Sequence, residues 1–265
     1  MGQGKVGLDQ RRAFAASSGL PVTGVRAVSQ DAFVLHVRPY RETSAIAELM
    51  TLEHGRVCVV ARGVRGRKRK GAETLMPFAR LLVSWAGRGQ LRTLTSFERT
   101  EHHWLVGKSL YAGLYVNELM LRLLRSDDPH TQLFRGYALT VSALAGGEPI
   151  ETPIESRIEI VLRRFERLLL KECGYELVFD RDADTGEPVL AQARYFLEPD
   201  FGFRRVSAGK DAASGYRGAV LLAIAADEFD ETEVRRVAKR IMREALAPHL
   251  GDRPLHSRAL FRTSR

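Results

Sequence analysis

Cysteine is nearly absent from this 265-residue sequence, which has only Cys58 and Cys173 and no CxxC pair. Two distant cysteines exclude a disulfide framework, and we interpret both as small buried hydrophobic residues. Long apolar runs are missing as well: the best, residues 219–226, has eight residues, where a membrane span needs about 20. The N-terminal segment lacks the hydrophobic core of a secretion signal. We therefore expect a cytoplasmic protein that does not contact membranes.

Motifs of catalysis and metal binding are also lacking. The segment Gly107-Lys108-Ser109 resembles the end of a phosphate-binding loop, but His102 occupies a position where that motif needs glycine. The pair His102-His103 has no cysteine or carboxylate at metal-ligand spacing. The alternating aspartates of residues 180–184 lack the glycine and distal glutamate of a calcium loop, so we interpret them as a solvated acidic loop. We expect no catalytic residues, no metal and no other cofactor.

Positive charge is what the sequence has in excess, and it is unevenly distributed. The net charge is +9, from 41 Lys and Arg against 32 Asp and Glu. Residues 23–101 carry 14 basic and 7 acidic residues, whereas residues 102–265 carry 24 of each. Such an asymmetry predicts a polyanionic partner, nucleic acid or anionic membrane, for the basic part. The basic part has no amphipathic basic helix, which disfavours the membrane.

The charge is densest in residues 62–70, where six of nine residues are basic and none is acidic. Gly63 and Gly66 keep this stretch from forming a helix or a central strand. A flexible, densely positive loop between two strands suits the binding of a polyanion. A solvated surface loop without a partner is the alternative interpretation.

The basic part has the pattern of a small β-barrel. Strand-like runs occur at residues 23–28, 32–38, 44–52, 56–61, 78–85 and 90–97. Five or six short strands with glycine turns and no helix predict a closed barrel of the OB type, an architecture that binds extended nucleic acid strands. Residues 1–22 show no periodicity and predict a disordered N-terminal extension.

The rest of the chain has helical periodicity. It predicts helices at residues 109–125, 133–144 and 153–173, a long helix that Asp230 caps and that Pro248 and Gly251 end, and a short helix near Pro254. Residues 175–205 are predicted to be irregular. The predicted architecture is α+β and multidomain, with an OB-fold barrel at residues 23–101 followed by a mainly α-helical domain at residues 102–265.

Several segments together resemble the bacterial RecO family of recombination and DNA-repair proteins. They are AFVLHVRPYRETS (32–44), HGRVCVVARGVRGRK (54–68), MPFARLLVSWAGRGQLRTL (76–94), SLYAGLYVNEL (109–119), RRFERLLL (163–170), CGYELVFD (173–180), TGEPV (185–189) and HLGDRPLHSRALFR (249–262). The resemblance implies an OB-fold joined to a helical domain. Some family members carry a four-cysteine zinc module after the Gly-Tyr at 174–175, but no cysteine follows Cys173 here, so we predict no zinc.

The resemblance also implies a function and partners. It implies a non-enzymatic mediator of the RecF pathway that binds single- and double-stranded DNA and anneals complementary strands. With RecR as its partner, such a protein helps to load RecA onto DNA coated by single-strand-binding protein (SSB). A cytoplasmic, nucleoid-associated location follows from that role. The alternatives are an RNA-binding OB-fold protein with a helical interaction domain and, third, a nucleotide hydrolase that uses Lys108.

The candidate DNA-binding residues are basic residues of the loop and the barrel surface, which would neutralise phosphates without reading sequence. They are Arg38, Arg41, Arg56, Arg62, Arg65, Arg67, Lys68, Arg69, Lys70, Arg88 and Arg92. Tyr40, Trp85 and Phe97 are candidates for base stacking, with burial in the core as the alternative.

Two predicted helices carry basic faces opposite their apolar stripes. These residues are Arg163, Arg164, Arg167 and Lys171 on the third helix and Arg235, Arg236, Lys239, Arg240 and Arg243 on the long helix. Each face is interpreted as solvated or as a docking site for an acidic peptide or for phosphates. By the family resemblance, Arg163 and Arg164 are candidates to bind the acidic, Phe-terminated tail of SSB beside an apolar pocket.

Overall fold

The structure is a computed structural model that describes residues 26–65, 75–146, 153–199, 201–206 and 215–260. Its strands are β1 Arg26–Tyr40, β2 Ser44–Thr51, β3 Gly55–Ala61, β4 Ala79–Ala86, β5 Leu91–His102, β6 Arg194–Glu198, β7 Gly202–Arg205 and β8 Tyr216–Arg217. Its helices are α1 Gly107–Leu123, α2 Thr131–Ala145, α3 Ile154–Glu172, α4 Gly218–Ala225, α5 Thr232–Leu250 and α6 His256–Leu260. Arg67, Lys68, Arg69, Lys70 and the predicted extension at residues 1–22 lie outside the described residues.

The first five strands close into a barrel in the order β1-β2-β3-β5-β4, which confirms the predicted OB-type barrel followed by helices. β3 and β5 run parallel, and the other neighbouring pairs are antiparallel. The two runs predicted at residues 23–28 and 32–38 are one strand of 15 residues. Irregularities in its register let the first half pair with β4 and the second half with β2, because bulges bend a strand.

Alternation along β2 and β3 separates an inner from an outer side of the barrel. Small and branched side chains of these strands fill the interior around Trp85, as the narrow lumen of a five-stranded barrel requires. Ile46 and Val60 alternate with these residues and therefore lie on the outer side of the barrel. They are only 4% and 8% exposed, but they belong neither to the barrel interior nor to the core at the helices. The outer side of the barrel therefore has apolar side chains of its own.

A second hydrophobic core, separate from the barrel interior, lies between the barrel and the helices. Phe33 of β1 packs its ring 5.2 Å from Phe134 and 5.1 Å from Tyr137, both on α2. The buried Asn117 of α1 donates a hydrogen bond to the Leu35 carbonyl (2.7 Å) and accepts one from the Tyr137 hydroxyl (2.7 Å). Since buried polar groups must be paired, this network fixes the barrel against the helices.

A second junction involves the loop between α1 and α2. Gly55 begins β3 with φ +64°, and a Cβ there would lie 1.9 Å from the Asp128 carbonyl oxygen. The Arg56 guanidinium donates to the Leu121 carbonyl and to the Ser126 hydroxyl, both at 3.2 Å. Only glycine permits this backbone approach, so the α1–α2 loop docks closely on the barrel.

The C-terminal part departs from the prediction in three ways. Residues 175–205 are not wholly irregular, because β6 and β7 form a three-stranded antiparallel sheet with β8. The N-cap of α5 is Glu231, without a side-chain capping bond. Pro248 lies inside the last turn, and the helix ends at the other predicted residue, Gly251, which is its C-cap. Proline has no backbone N–H, so Pro248 removes one intrahelical hydrogen bond, and the last helical residue is Leu250, two residues later.

Asp182 is the buried member of the acidic stretch that was predicted to be solvated. Its carboxylate accepts hydrogen bonds from the backbone amides of Asp184 (2.8 Å) and Arg205 (3.2 Å), so it ties the 180–187 turn to β7. No helix among the described residues is long and apolar enough to span a bilayer.

Candidate nucleic-acid interface

The outer face of β1, β2, β3 and β5 forms a shallow surface that we call the platform. Its residues are adjacent across the strands: Ile46 pairs with Val60, and Val60 pairs with Thr93. Val60 and Thr93, together with Tyr40 and Leu91, line a cleft of about 740 Å³. Leu91 is 43% exposed, so the floor offers apolar contact area to a ligand.

Three arginines meet on the rim of the platform. Arg41 and Arg62 line the cleft, and Arg65 is held beside them. The Arg65 amide donates to the Thr43 carbonyl (3.0 Å) and its guanidinium donates to the Arg41 carbonyl (3.4 Å). Val64 is buried in the barrel core, so the 62–65 turn is anchored next to the 41–43 turn.

Arg41 has φ 52°, a left-handed conformation that non-glycine residues adopt at a cost. Its guanidinium lies 5.2 Å from the centroid of the Tyr40 ring. Such strain recurs at binding sites, and here it accompanies a cation and an aromatic ring at the edge of the cleft.

Arg38 and Arg88 are two further candidate DNA-binding residues. Arg38 is exposed on β1, and Arg88 is exposed in the turn that precedes Leu91. Within the described residues, no carboxylate pairs with either of them or with the three rim arginines. Glu42 also lines the cleft but forms no ion pair with these arginines among the described residues. Exposed cations beside the Tyr40 ring and the exposed Leu91 are the arrangement that sequence-independent nucleic-acid binding uses.

Arg56 and Arg92 were predicted to contact DNA, but the structure places both at the domain junction. Arg92 forms an ion pair with Asp127 of the α1–α2 loop (2.6 Å), and its side chain is 13% exposed. Arg56 has the carbonyl and hydroxyl partners described above and lies 3.7 Å from Glu48. These partners compensate the positive charges of Arg56 and Arg92. We therefore attribute to both arginines a role in joining the barrel to the helices.

Replacing Arg92 with alanine should therefore affect stability more than nucleic-acid binding. The ion pair is partly buried, and we expect a loss of about 1 kcal/mol in the free energy of unfolding, near the upper end for exposed pairs. The salt dependence of oligonucleotide binding should be unchanged. Urea denaturation and anisotropy titrations measure the two quantities; a reduced salt slope at unchanged stability would contradict this assignment.

The three aromatic candidates for base stacking differ in their burial. Trp85 is fully buried inside the barrel, so the stacking role considered for it is wrong. Phe97 is half-buried and packs against the same core. Tyr40 remains on the platform. Sequence reasoning missed Trp104, which is 68% exposed between β5 and α1, because no apolar periodicity surrounds it.

The two cysteines are half-buried, not fully buried as predicted. Burial, followed by the nearby Glu48 carboxylate, raises the pKa of the Cys58 thiol to about 12. Burial raises the pKa of Cys173 to about 11. Both thiols are therefore protonated at neutral pH, a state in which they are poor nucleophiles.

The helical domain has a basic pocket beside α3, with a volume of about 240 Å³. We call it the α3 pocket; its lining includes Arg164, Arg167, Leu168, Lys171, Leu177 and Met242. Arg164 is exposed and pairs with Asp227 at 2.7 Å. Arg167 donates to the Ile224 carbonyl (2.7 Å) and lies over the Phe179 ring. The three cations of the α3 pocket therefore face two carboxylates of the same lining, because Asp227 pairs with Arg164 and Arg167 and Glu176 pairs with Lys171.

Arg163 does not lie in the α3 pocket, although the sequence predicted it on the same basic face as Arg164. Its side chain is 5% exposed and forms an ion pair with Glu166 at 2.6 Å. The same Glu166 oxygen accepts a hydrogen bond from the Tyr115 hydroxyl of α1 (2.7 Å). Neighbouring helix positions are about 100° apart, and this rotation turns Arg163 toward α1 while Arg164 faces solvent.

The basic face of α5 is likewise reduced by packing. Lys239 and Arg235 approach Glu159 of α3 at 3.0 and 3.9 Å. Arg236, Arg240 and Arg243 are exposed. Two of the five cations predicted to be available therefore serve the contact between α3 and α5.

Fold and site together define the class of protein: an OB-type barrel with basic turns around an apolar outer face, joined through a shared core to a helical domain. Residues 25–102 match the family model "Recombination protein O N terminal", and residues 106–259 match "Recombination protein O C terminal". The chain belongs to the RecO family of DNA repair proteins.

Curated relatives agree with this assignment over most of their length. The DNA repair protein RecO of Cellvibrio japonicus (strain Ueda107) is 44% identical over 88% of this chain and 95% of its own. That of Halorhodospira halophila (strain DSM 244 / SL1) is 43% identical over 90% and 98%. That of Stutzerimonas stutzeri (strain A1501) is 42% identical over 89% and 94%.

Proposed function

We propose that the chain is a mediator of DNA repair and recombination in the RecF pathway, and that it binds single- and double-stranded DNA on the platform. The convergence of Arg41, Arg62 and Arg65, without carboxylate partners, on an apolar barrel face carries this proposal. The relatives are DNA repair proteins, which favours DNA over RNA as the ligand.

The chemistry of this binding is electrostatic. The arginines replace counterions on the phosphates, and the release of these ions makes binding favourable without any contact that reads bases. Tyr40, half-exposed at the cleft, stacks on an unpaired base. Holding two complementary strands on a positive surface lowers their mutual repulsion, so they anneal. No bond is made or broken in the protein, and the role is not enzymatic.

The helical domain supplies protein contacts in this proposal. The α3 pocket binds the acidic, Phe-terminated tail of SSB, with the phenylalanine ring on its apolar floor. The carboxylates of the tail compete with Asp227 and Glu176 for Arg164, Arg167 and Lys171, with which these two residues pair in the unbound chain. RecR acts with the chain to load RecA onto SSB-coated DNA, in the cytoplasm at the nucleoid. Because Arg163 is buried against Glu166, the tail is assigned to Arg164 without it.

An annealing time course tests the proposed activity. We expect the chain to accelerate pairing of complementary single strands of DNA, both naked and coated with SSB. The same strands made of RNA are the control, and they should bind and anneal less well. Strong preference for RNA without accelerated DNA annealing would instead support an RNA-binding protein.

The substitution Arg164→Glu tests the α3 pocket. It replaces attraction to the acidic tail with repulsion, and we expect roughly a tenfold weaker affinity for an SSB-tail peptide, as loss of a charge-assisted contact of about 1.4 kcal/mol implies. Annealing of naked DNA should be unaffected. Calorimetry with the peptide measures the first quantity, and Arg135→Glu on exposed α2 is the matched control. Equal loss of both activities would refute the separation of roles.

A further inference from the structure

A second groove, of about 410 Å³, lies beside the α3 pocket and differs from it in chemistry. It is bounded by the segment after α3, the β6–β7 turn and the last turns of α5, and it shares Glu176 and Leu177 with the α3 pocket. We call it the acidic groove. Its lining has no lysine or arginine among the described residues, in a chain of net charge +9.

Aromatic rings stand exposed along the acidic groove. Phe201 is 73% exposed and Tyr175 is 46% exposed. The Tyr175 ring stacks on His249 of α5, with centroids 3.7 Å apart and planes at 24°. This stack holds one face of Tyr175 in place and leaves aromatic surface open to a ligand. Exposed aromatic rings grouped in a concave site are typical of a contact surface.

The groove also carries carboxylates that its neighbours do not fully neutralise. Glu176 is paired with Lys171 at 2.9 Å. Glu198 and Asp184 both pair with the guanidinium of Arg204. Two carboxylates and one guanidinium together carry a net charge of −1. The third carboxylate, Glu244, accepts a hydrogen bond from the neutral hydroxyl of Tyr216. Arg240 faces that tyrosine from outside the lining, with its guanidinium 5.3 Å from the centroid of the ring.

We propose that the acidic groove binds a segment of a partner protein in which an arginine or lysine stands next to an apolar residue. The cation lies against the open faces of Tyr175 and Phe201 and pairs with the carboxylates of Glu198 or Glu244. The apolar neighbour packs on Leu177. Phosphate groups are repelled by the same carboxylates, so this site is separate from the platform and does not depend on the function proposed above.

The test uses the full chain and a synthetic peptide, acetyl-Gly-Leu-Arg-Pro-Arg-Gly-amide, in titration calorimetry. The matched peptide with citrulline in place of both arginines keeps the shape and loses the charge, and it should bind much less tightly. Phe201→Ala and Glu244→Gln should each weaken binding of the arginine peptide about five- to tenfold, the range of a partly exposed cation–π or charge-assisted contact.

Two control variants separate this site from its surroundings. Phe196→Ala removes an exposed ring of β6 that is not part of the groove lining. Arg164→Glu alters the α3 pocket. Neither substitution should weaken peptide binding. Undetectable binding at millimolar peptide, equal binding of the citrulline peptide, or unchanged affinity in Phe201→Ala and Glu244→Gln would each overturn the proposal. So would a dimer in sedimentation that Phe201→Ala dissociates, because a second copy would then occupy the groove.

Discussion

Replacing Arg41 and Arg62 together with alanine is expected to weaken single-stranded DNA binding about 25-fold at 0.1 M salt. Each lost phosphate contact removes about 0.7 from the slope of log affinity against log salt concentration, so two contacts remove about 1.4. Both side chains line the platform cleft without a carboxylate partner among the described residues. Fluorescence anisotropy at several salt concentrations measures the affinity and the slope.

The control for this prediction removes the same charge elsewhere. Arg135 and Arg236 are exposed on α2 and α5. Their double replacement with alanine should change the salt slope by less than about 0.3, which is well below the change of about 0.7 expected for one phosphate contact. If both double variants lower the slope equally, net charge and not the platform governs binding. An unchanged slope in the Arg41 and Arg62 variant would remove the platform from the interface.

The second large effect is expected from Arg163→Met, which should lower the free energy of unfolding by about 3–5 kcal/mol. The substitution leaves the Glu166 carboxylate buried between α1 and α3 with only the Tyr115 hydroxyl as partner. Breaking a buried ion pair from one side costs far more than the pair itself contributes, because the remaining charge has lost its compensation. Urea denaturation followed by circular dichroism measures the change.

A double variant separates the buried charge from the loss of packing. Arg163→Met with Glu166→Gln removes both charges, and the glutamine oxygen still accepts from Tyr115; we expect stability within about 2 kcal/mol of the unmodified chain. Arg164→Met, at the exposed neighbour, should cost less than about 1 kcal/mol. A small effect of Arg163→Met alone would contradict the buried ion pair.

This buried pair changes how the helical domain should be tested. A combined replacement of Arg163 and Arg164 would confuse unfolding with loss of partner binding, because only Arg164 faces the α3 pocket. The shared core has a similar consequence for the barrel. Phe33 and Leu35 are buried against helices, so a barrel cut out of the chain would expose them to water.

The sequence alone determined the OB-type barrel, the long helices that follow it and the location of positive charge. Alternation with period two and recurrence with period 3.6 are local properties, and so is the charge of residues 23–101. It also determined that Arg41 and Arg62 flank strands of a barrel. The short strands β6, β7 and β8 escaped prediction because two to five residues show too little periodicity and are held by contacts distant in sequence.

Only the tertiary structure decided which cations are available to a ligand. In the sequence, Arg56, Arg92 and Arg163 cannot be told apart from Arg41 and Arg62, yet Arg56 and Arg92 hold the α1–α2 loop to the barrel and Arg163 is buried between helices. The physical reason is that a charge is free or compensated according to what packs against it, and those neighbours lie 3 to 70 residues away along the chain. Sequence patterns report the charge; the fold determines whether it faces a partner.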